Sequence, residues 1–182
     1  MPAHTRTPRN TWIDAGLQTL AAGGPQEVRI EPLAKQLGVT RGGFYWHFES
    51  REAFLNELLD AWEHRSTSAV IERVEAEGGD PRERVRRAGI ETFSKELVPI
   101  DLAVRDWARR DASVAKRLRR VDDRRMAYLR SQIATFCSDP DEVEARSMLA
   151  FSLAIGRHFI AARHDGRRRS DVLDRALGRI LG

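Results

Sequence analysis

Residues 38–51 have the sequence Gly-Val-Thr-Arg-Gly-Gly-Phe-Tyr-Trp-His-Phe-Glu-Ser-Arg, and no other part of this 182-residue chain is as informative. Val39 and Phe44 have the spacing of residues that face a core. The remaining large side chains would then face outward, namely Arg41, Tyr45, Trp46 and His47. Because proteins rarely expose so much aromatic surface without a use for it, we expect a large partner to contact this segment.

The preceding segment, residues 30–37, predicts a short helix with Leu33, Ala34 and Leu37 on one face. A turn at residues 38–40 follows, and residues 41–47 predict a second short helix. Two short helices joined by a glycine-containing turn form the helix-turn-helix arrangement, which lays its second helix in the major groove of DNA.

The sequence of this region resembles the TetR family of bacterial transcriptional repressors. Within residues 9–55 the resemblance is carried by Leu33-Ala34, Leu37-Gly38-Val39-Thr40-Arg41-Gly42, Phe44-Tyr45-Trp46-His47-Phe48 and Ser50-Arg51-Glu52. Two positions depart from the family pattern. Gly43 stands where Thr is frequent, which removes one contact, and Arg29 stands where a Thr often caps the second helix.

The resemblance implies an all-α protein of two domains. A three-helix helix-turn-helix DNA-binding domain would occupy residues 1–49, and a larger helical ligand-binding and dimerisation domain would occupy residues 50–182. The resemblance also implies a transcriptional regulator, typically a repressor, that binds a palindromic operator in double-stranded DNA as a homodimer. A small-molecule effector would release it from the DNA.

Helical periodicity runs along the chain, and no segment shows sustained strand alternation, which independently predicts an all-α fold. Capping residues, prolines and glycines predict where the helices begin and end. The first helix is predicted to start with Thr7 as its N-cap and to end at Gly23-Gly24-Pro25. Two later helices are predicted from Ser50 to Gly78-Gly79 and from Pro81 to just before Pro99. Asp139 and Ser170 are predicted to be the N-caps of the last two helices.

The second short helix, residues 41–47, would contact the DNA bases. Arg41 lies in its first turn, where a guanidinium can donate to guanine O6 and N7. Gly42 and Gly43 lack side-chain bulk and would allow a close approach to the duplex. The phosphates of the DNA backbone would be contacted by Thr40, Tyr45, His47 and Arg51. Trp46 would contact sugars or thymine methyls.

The sequence leaves an alternative open for several of these residues. Tyr45 and Trp46 could instead pack inside the domain, and His47 could be a structural hydrogen-bonding residue. Arg51 could form a surface ion pair with one of its neighbouring glutamates.

Charge does not by itself identify the DNA-binding part. The chain carries a net charge of +4, but residues 1–65 hold seven Lys or Arg against eight Asp or Glu. Placement of particular side chains must therefore carry the DNA contact. Residues 105–130 hold ten cations and four Asp, a pattern typical of a solvated helix face. A second nucleic-acid surface or a site for an acidic ligand remains an alternative use of this stretch.

Two sets of residues in the second half are assigned by the resemblance. The last two long helices would form the dimer interface, with the alternative that they only close the core of one chain. The predicted interface residues are Phe151, Ile155, Phe159, Val172, Leu173, Leu177 and Ile180. The predicted ligand pocket is lined by Trp62, Phe93, Trp107, Met126, Tyr128 and Phe151, although aromatic residues at helical spacing are often simply core.

Other function classes find little support in the sequence. The five histidines and the single Cys137 lack the spacing of a metal site, and no phosphate-binding glycine loop or nucleophile motif is present. We therefore expect no enzyme activity, no metal and no cofactor. The absence of a signal peptide or an apolar run of about 18 residues predicts a cytoplasmic protein without membrane contact. A helical protein-interaction module is the main rival hypothesis.

Overall fold

The computed structural model describes residues 7–182, and all regular structure in that range is helical, which confirms the all-α prediction. The α-helices in chain order are α1 (Arg9–Gly23), α2 (Ile30–Gln36), α3 (Arg41–Tyr45), α4 (Arg51–Glu63), α5 (Ala69–Glu77), α6 (Pro81–Thr92), α7 (Val98–Ala108), α8 (Ala112–Ile133), α9 (Pro140–Gly156) and α10 (Arg169–Leu181). A π-helical turn, His64–Ser68, follows α4 directly.

The helices form two compact units, each with its own core. The first unit contains the chain up to Arg65 together with Lys95–Leu118, and the second contains Ser66–Ser94 and Arg119–Gly182. The chain therefore leaves the first unit, returns to it through α7, and leaves it again within α8. The predicted boundary between residues 49 and 50 separates a DNA-binding domain from a regulatory domain by function and not by packing, and it stays a prediction.

Capping residues placed several helix starts correctly. The Ser50 hydroxyl accepts a hydrogen bond from the Ala53 amide at 3.0 Å and begins α4. The Asp139 carboxylate accepts from the amides of Asp141 and Glu142, with Pro140 in the first turn of α9. These side chains satisfy amides that have no partner within the helix.

Two predicted N-caps are wrong. Pro8, not Thr7, is the N-cap of α1, since the helix begins one residue later at Arg9. Arg168, not Ser170, precedes α10, and the Ser170 hydroxyl donates instead to the Asp171 carboxylate at 3.1 Å. In both places extended backbone at the preceding residue, not a capping side chain, marks the helix start.

Two predicted helices are interrupted. The helix expected from Ser50 to Gly78 contains the π-helical turn His64–Ser68, which no local sequence signal had indicated. The helix expected to reach Pro99 ends at Thr92, and Pro99 lies in the first turn of α7 instead. A proline is well tolerated there because amides of the first turn have no helical acceptor.

Aromatic rings fill the core of the first unit. Phe44 and Trp12 are completely buried, with ring centroids 5.5 Å apart. Phe54 lies 5.3 Å from Phe44 and 4.6 Å from Phe48. Gly16 allows α1 to approach α4, because a Cβ there would lie 2.6 Å from the Phe54 ring. This packing fixes the positions of the short helices that carry the outward-facing residues.

Smaller side chains form the core of the second unit. One cluster contains Val85, Met126, Leu129, Ile133, Ala150 and Leu181, and a second contains Val70, Val74 and Ala88. Arg125 is also almost completely buried. Its guanidinium donates to the Ser66 hydroxyl at 2.8 Å and to the Thr67 hydroxyl at 3.1 Å. The second unit thus combines an aliphatic core with a buried polar cluster next to the π-helical turn.

Candidate nucleic-acid interface and interior cavity

The helix-turn-helix segment is formed by α2, a turn and α3. The turn begins at Gly38, whose φ of +67° lies in the left-handed region that favours glycine. Helix α3 ends at Tyr45, so the second short helix is shorter than the predicted 41–47. The Phe44 carbonyl accepts hydrogen bonds from the amides of both His47 and Phe48, and this tight turn brings Phe48 back into the core. Trp46 and His47 therefore lie in the turn after the helix.

Arg41 is held on the outer side of α3. Its Nη1 donates to the Glu31 carboxylate at 2.9 Å and its Nη2 to the Tyr45 hydroxyl at 3.3 Å. The hydrogen bond to Tyr45 and the Glu31 carboxylate raise the pKa of the Arg41 guanidinium. The side chain is thus a charged donor of restricted orientation on an exposed surface.

The aromatic residues next to Arg41 are exposed, whereas their neighbours are buried. Tyr45 is 47% and Trp46 71% exposed, while Phe44 and Phe48 are in the core. The alternative that Tyr45 and Trp46 pack in the domain interior therefore finds no support in their exposure. Exposed rings beside a guanidinium can pack on sugars and bases and donate to phosphates.

The two glycines of α3 are not required by internal packing. A Cβ at Gly42 would approach the Thr40 hydroxyl to 3.7 Å, and one at Gly43 would lie 4.0 Å from the Trp12 ring. Both distances are ordinary van der Waals contacts. The two glycines are therefore not needed for packing in the core. Their lack of side chains leaves the α3 backbone accessible, as a close approach to a duplex would require.

His47 and Thr40 have different surroundings. The half-buried His47 has its Nε2 3.0 Å from the Thr7 carbonyl oxygen, which supports the alternative that His47 is a structural hydrogen-bonding residue. Thr40 is exposed and precedes α3, and its side chain makes no capping hydrogen bond. Thr40 is therefore available for the predicted phosphate contact, whereas His47 has a role within the unit.

Arg51 has a structural role that the sequence did not indicate. Its Nε donates to the Val28 carbonyl at 2.7 Å and its Nη2 to the Pro25 carbonyl. These bonds fasten the loop between α1 and α2 to the start of α4. The contacts are with carbonyl oxygens and not with a neighbouring glutamate. A phosphate contact by Arg51 stays a prediction.

Two further cations lie near the candidate interface, and neither was predicted to contact DNA. Arg29 and Lys35 lie at either end of α2. An open groove there is lined by Arg29, Ile30, Glu31, Pro32, Lys35, Arg41 and Arg51. The signal was present in the sequence, since both charges flank the predicted helix. Their placement concentrates positive charge beside α2, although residues 1–65 as a whole are close to neutral.

A cavity of about 90 Å³ lies within the second unit, among α5, α6, α8, α9 and α10. Three of the six residues predicted to line a pocket do so, namely Phe93, Tyr128 and Phe151. Tyr128 reaches the edge of this region, where its hydroxyl donates to the Glu75 carboxylate at 2.7 Å. Burial raises the pKa of Tyr128, and the bond to Glu75 adds to the shift, so its hydroxyl stays protonated.

The other three predicted residues lie elsewhere. Trp62 is buried in the first unit, where its indole N–H donates to Asp101 at 3.2 Å. Trp107 lies on α7, also in the first unit. Met126 packs in the core cluster of the second unit. Periodicity identifies an inward-facing residue but not which of two interiors it faces, and for this reason Trp62 and Trp107 lie away from the cavity.

Arginines are the lining residues that the sequence did not reveal. Arg86, Arg125 and Arg157 contribute to the cavity wall together with a single acidic residue, Asp174. Each was one cation among 31 Lys and Arg in the chain, and nothing in the local pattern distinguished it. Only the packing of five helices brings the three together.

The apolar surface of the second unit only partly matches the predicted dimer interface. Phe159 is 66% exposed, as expected of an interface residue. The predicted residues Phe151, Leu177 and Ile180 pack against the core cluster of their own unit, and Ile155, Val172 and Leu173 are half-buried. Other large apolar residues on or just after α9 are also exposed, namely Met148, Leu149 and Ile160.

The Arg-rich stretch makes many ion pairs. Arg105 pairs with Asp101, Arg110 with Asp106, and Arg130 with Glu144 at 2.5 Å. The exposed pairs of Arg110 and Arg130 agree with a solvated, charge-interlaced face, whereas the Asp101 partner of Arg105 is buried, as is Arg125. Across residues 7–182 no three potential ligands gather into a metal site, and none of the helices there has both the length and the apolar character to cross a bilayer.

Comparison with known proteins gives a family match in the part that carries the interface. Residues 13–58 match the family described as bacterial regulatory proteins, tetR family. The transcriptional regulator EthR of Mycolicibacterium smegmatis is 40% identical over 67 residues, which are 37% of this chain and 30% of EthR. The chain spans less than half the length of the curated relatives that it matches.

Solved structures of the same fold extend over nearly the whole chain. A transcriptional regulator from Rhodococcus sp. Rha1 has a TM-score of 0.73 at 19% identity, covering 96% of this chain and 94% of that one. FadR from Bacillus subtilis, solved in complex with stearoyl-CoA, has a TM-score of 0.68 at 14% identity, covering 96% and 98%. At these identities the likeness establishes the fold alone.

Proposed function

We propose that the chain, whose residues 13–58 match the tetR family of bacterial regulatory proteins, is a DNA-binding transcriptional regulator that acts on double-stranded DNA in the cytoplasm. The observation that carries the proposal is the outward side of α3 and of the turn that follows it. Arg41, Tyr45 and Trp46 are exposed there, directly above the ring-packed core that holds α3 in place. A short helix with a guanidinium in its first turn suits base contact in a major groove.

Specific contacts, not bulk charge, would provide the affinity for the operator. The first 65 residues are close to neutral, so the protein should bind arbitrary DNA weakly at cellular salt concentration. Arg41 would contact a guanine, Trp46 sugars or thymine methyls, and Thr40 and Tyr45 phosphates. The cations Arg29 and Lys35 would add phosphate contacts at the ends of α2.

Selection of bound duplexes from a random pool tests this function and yields the operator. We expect a palindromic sequence that the full-length protein binds at least about 10³-fold more tightly than a scrambled duplex at 150 mM salt. Equal affinity for the enriched and scrambled duplexes would contradict the proposal.

The regulator would act as a homodimer. Two copies related by a two-fold axis present two α3 helices to successive major grooves, about 34–36 Å apart. Met148, Leu149 and Phe159 support this arrangement because they leave an apolar surface on and just beyond α9. Leu149→Glu should produce a monomer in sedimentation velocity, whereas Ala134→Glu, which adds the same charge outside that surface, should leave the dimer intact. A dimer that survives Leu149→Glu would move the interface elsewhere.

A small molecule in the cavity of the second unit would control DNA binding, typically by releasing a repressor. A protein of the same fold has been solved with stearoyl-CoA, which supports the capacity of this architecture to hold a ligand. The effector would shift the population towards a state with low DNA affinity, and the shift equals its differential affinity for the two states.

A helical protein-interaction module is the second candidate, favoured by the neutral charge of the first 65 residues. It predicts no enrichment of any duplex in the selection. The same experiment therefore separates the two functions.

A further inference from the structure

The cavity of the second unit has an apolar lining and an excess of positive charge. Most of its wall is aliphatic or aromatic, for example Val70, Leu129 and Phe151. The charged residues of the lining are three arginines and one aspartate. Such a wall favours a ligand that is largely apolar but carries a negative charge, since polar groups in an apolar pocket set the orientation of the ligand.

Two of the three arginines already have acidic partners. Arg86 lies 2.5 Å from the Asp174 carboxylate and 3.6 Å from that of Glu83. Arg125 lies 3.4 Å from the Asp122 carboxylate and also donates to two hydroxyls. Their positive charges are therefore largely neutralised within the unit.

Arg157 differs from both. Its Nη2 donates to the Phe93 carbonyl at 3.1 Å and its Nε to the imidazole of His158 at 3.0 Å. Among residues 7–182 its side-chain contacts include no carboxylate. The half-buried Arg157 is thus a cation in the cavity wall whose hydrogen-bond partners carry no negative charge.

A second cation, Arg169, lies next to Arg157. Arg169 donates to the carbonyls of Arg157 and Ile160, at 2.6 and 2.5 Å. Burial and the positive charge of Arg169 lower the pKa of the Arg157 guanidinium. An uncompensated cation in a partly dry site is unfavourable, and an incoming anion would relieve this cost.

Aromatic rings line the same cavity wall as Arg157. The ring of Phe93 is 6.1 Å from that of Phe151 and 6.1 Å from the imidazole of His158. A planar guanidinium matches a carboxylate through two parallel hydrogen bonds, and one uncompensated charge suits one negative charge. We propose that the cavity binds an amphipathic monocarboxylate, whose apolar part lies among these rings and aliphatic side chains and whose carboxylate pairs with Arg157. The inference rests on the proposed function in naming this molecule as the effector.

Calorimetric titration of the full-length protein with sodium octanoate, 1-octanol and octylamine tests the charge preference. The three probes share an eight-carbon chain and differ in the charged or neutral head group. We expect octanoate to bind about 10- to 100-fold more tightly than octanol, as a charge-assisted hydrogen bond implies, and octylamine to bind most weakly. Equal binding of octanoate and octanol would overturn the inference.

Two matched variants test the assignment to Arg157. Arg157→Gln should weaken octanoate binding about 10- to 100-fold and leave octanol binding unchanged. Arg86→Gln removes an arginine of the same wall that already has acidic partners, and it should change octanoate affinity less than about threefold. Equal losses in both variants would overturn the assignment. Retained octanol binding shows that the variant is folded, and Arg157→Lys, which keeps the charge without the planar fork, should give an intermediate loss.

Titration of octanoate into the operator complex separates this inference from the proposed function. Tight octanoate binding that depends on Arg157 supports the inference even when the DNA stays bound, and in that case the effector role is wrong. If the protein binds its operator specifically but binds octanoate and octanol equally, the proposed regulatory function stands. The proposal that the cavity binds a monocarboxylate is then wrong.

Discussion

The interiors of the two compact units are built from different side chains. In the first unit, Trp12, Phe44, Phe48 and Phe54 meet at ring-centroid separations of 4.6 to 5.5 Å and are at most 2% exposed. In the second unit, aliphatic residues surround a cavity and a buried arginine bonded to two hydroxyls. One interior is filled by interlocking rings, and the other contains free volume and charge.

This difference matches what each unit has to do. A short helix such as α3 cannot hold its own geometry, so a tightly packed ring cluster must hold it. A unit that binds a small molecule needs free volume and a polar group to orient the molecule. In the proposed function, the first unit presents a fixed surface to DNA and the cavity of the second unit holds the effector.

The largest effect is expected at the centre of the ring cluster. Phe44→Ala should lower the free energy of unfolding by about 3–5 kcal/mol, since it removes a fully buried ring that contacts four others. Denaturant unfolding measures the change. Tyr45→Ala, at the next and exposed position, is the control and should cost less than about 1 kcal/mol. Similar losses for both variants would contradict a ring-packed platform.

Substitution of the buried Arg125 tests whether the polar cluster in the second unit contributes to stability. Arg125→Met should lower the free energy of unfolding by about 2–3 kcal/mol, because it leaves the buried hydroxyls of Ser66 and Thr67 without their charged donor. Arg124→Met, at an exposed position on the same helix, should change it by no more than about 0.5 kcal/mol. If Arg125→Met were neutral, the buried polar cluster would contribute little to stability.

Arg41 should matter for DNA and not for folding. Arg41→Ala should raise the Kd for the selected operator about 10- to 100-fold and relax the preference at one base pair, with unfolding unchanged. Mobility-shift titrations of operator variants measure both effects. Arg65→Ala, which removes an arginine of the same unit outside the interface, should leave the Kd unchanged. Unaltered affinity and preference in Arg41→Ala would exclude Arg41 from base contact.

Arg51 should contribute to both folding stability and DNA binding, and its substitution should have the smallest effects of the four. Arg51→Ala should lower the free energy of unfolding by about 1 kcal/mol, since two hydrogen bonds to loop carbonyls are lost. It should also reduce the slope of log K against log salt by about one if the predicted phosphate contact exists. Arg73→Ala, an exposed cation of the second unit, should leave the slope unchanged. A stability loss with an unaltered slope would make Arg51 purely structural.

Much of the first unit could be predicted from residues close together in the sequence. Gly38 with its positive φ, Ser50 as an N-cap and the buried Phe44 follow from local backbone and capping chemistry. The exposed positions of Arg41, Tyr45 and Trp46 follow from the same periodicity. These features depend on neighbours within one or two helical turns, so a single sequence suffices.

Features that depend on distant partners could not be predicted. The carbonyl partners of Arg51 lie 23 and 26 residues away. The assignment of Trp62 and Phe93 to different interiors depends on a chain that leaves the first unit and returns to it. Periodicity gives the direction of a side chain relative to its own helix and carries no information about which helix it meets.

The amino-acid sequence alone therefore determined the all-α class, the helix-turn-helix segment and its outward residues, because local hydrogen bonding and helical periodicity specify them. Only the tertiary structure decided that Arg86, Arg125 and Arg157 share one cavity wall and that Arg157 lacks an acidic partner there. Charge compensation is a property of groups that meet through folding, and their separation along the chain does not encode it.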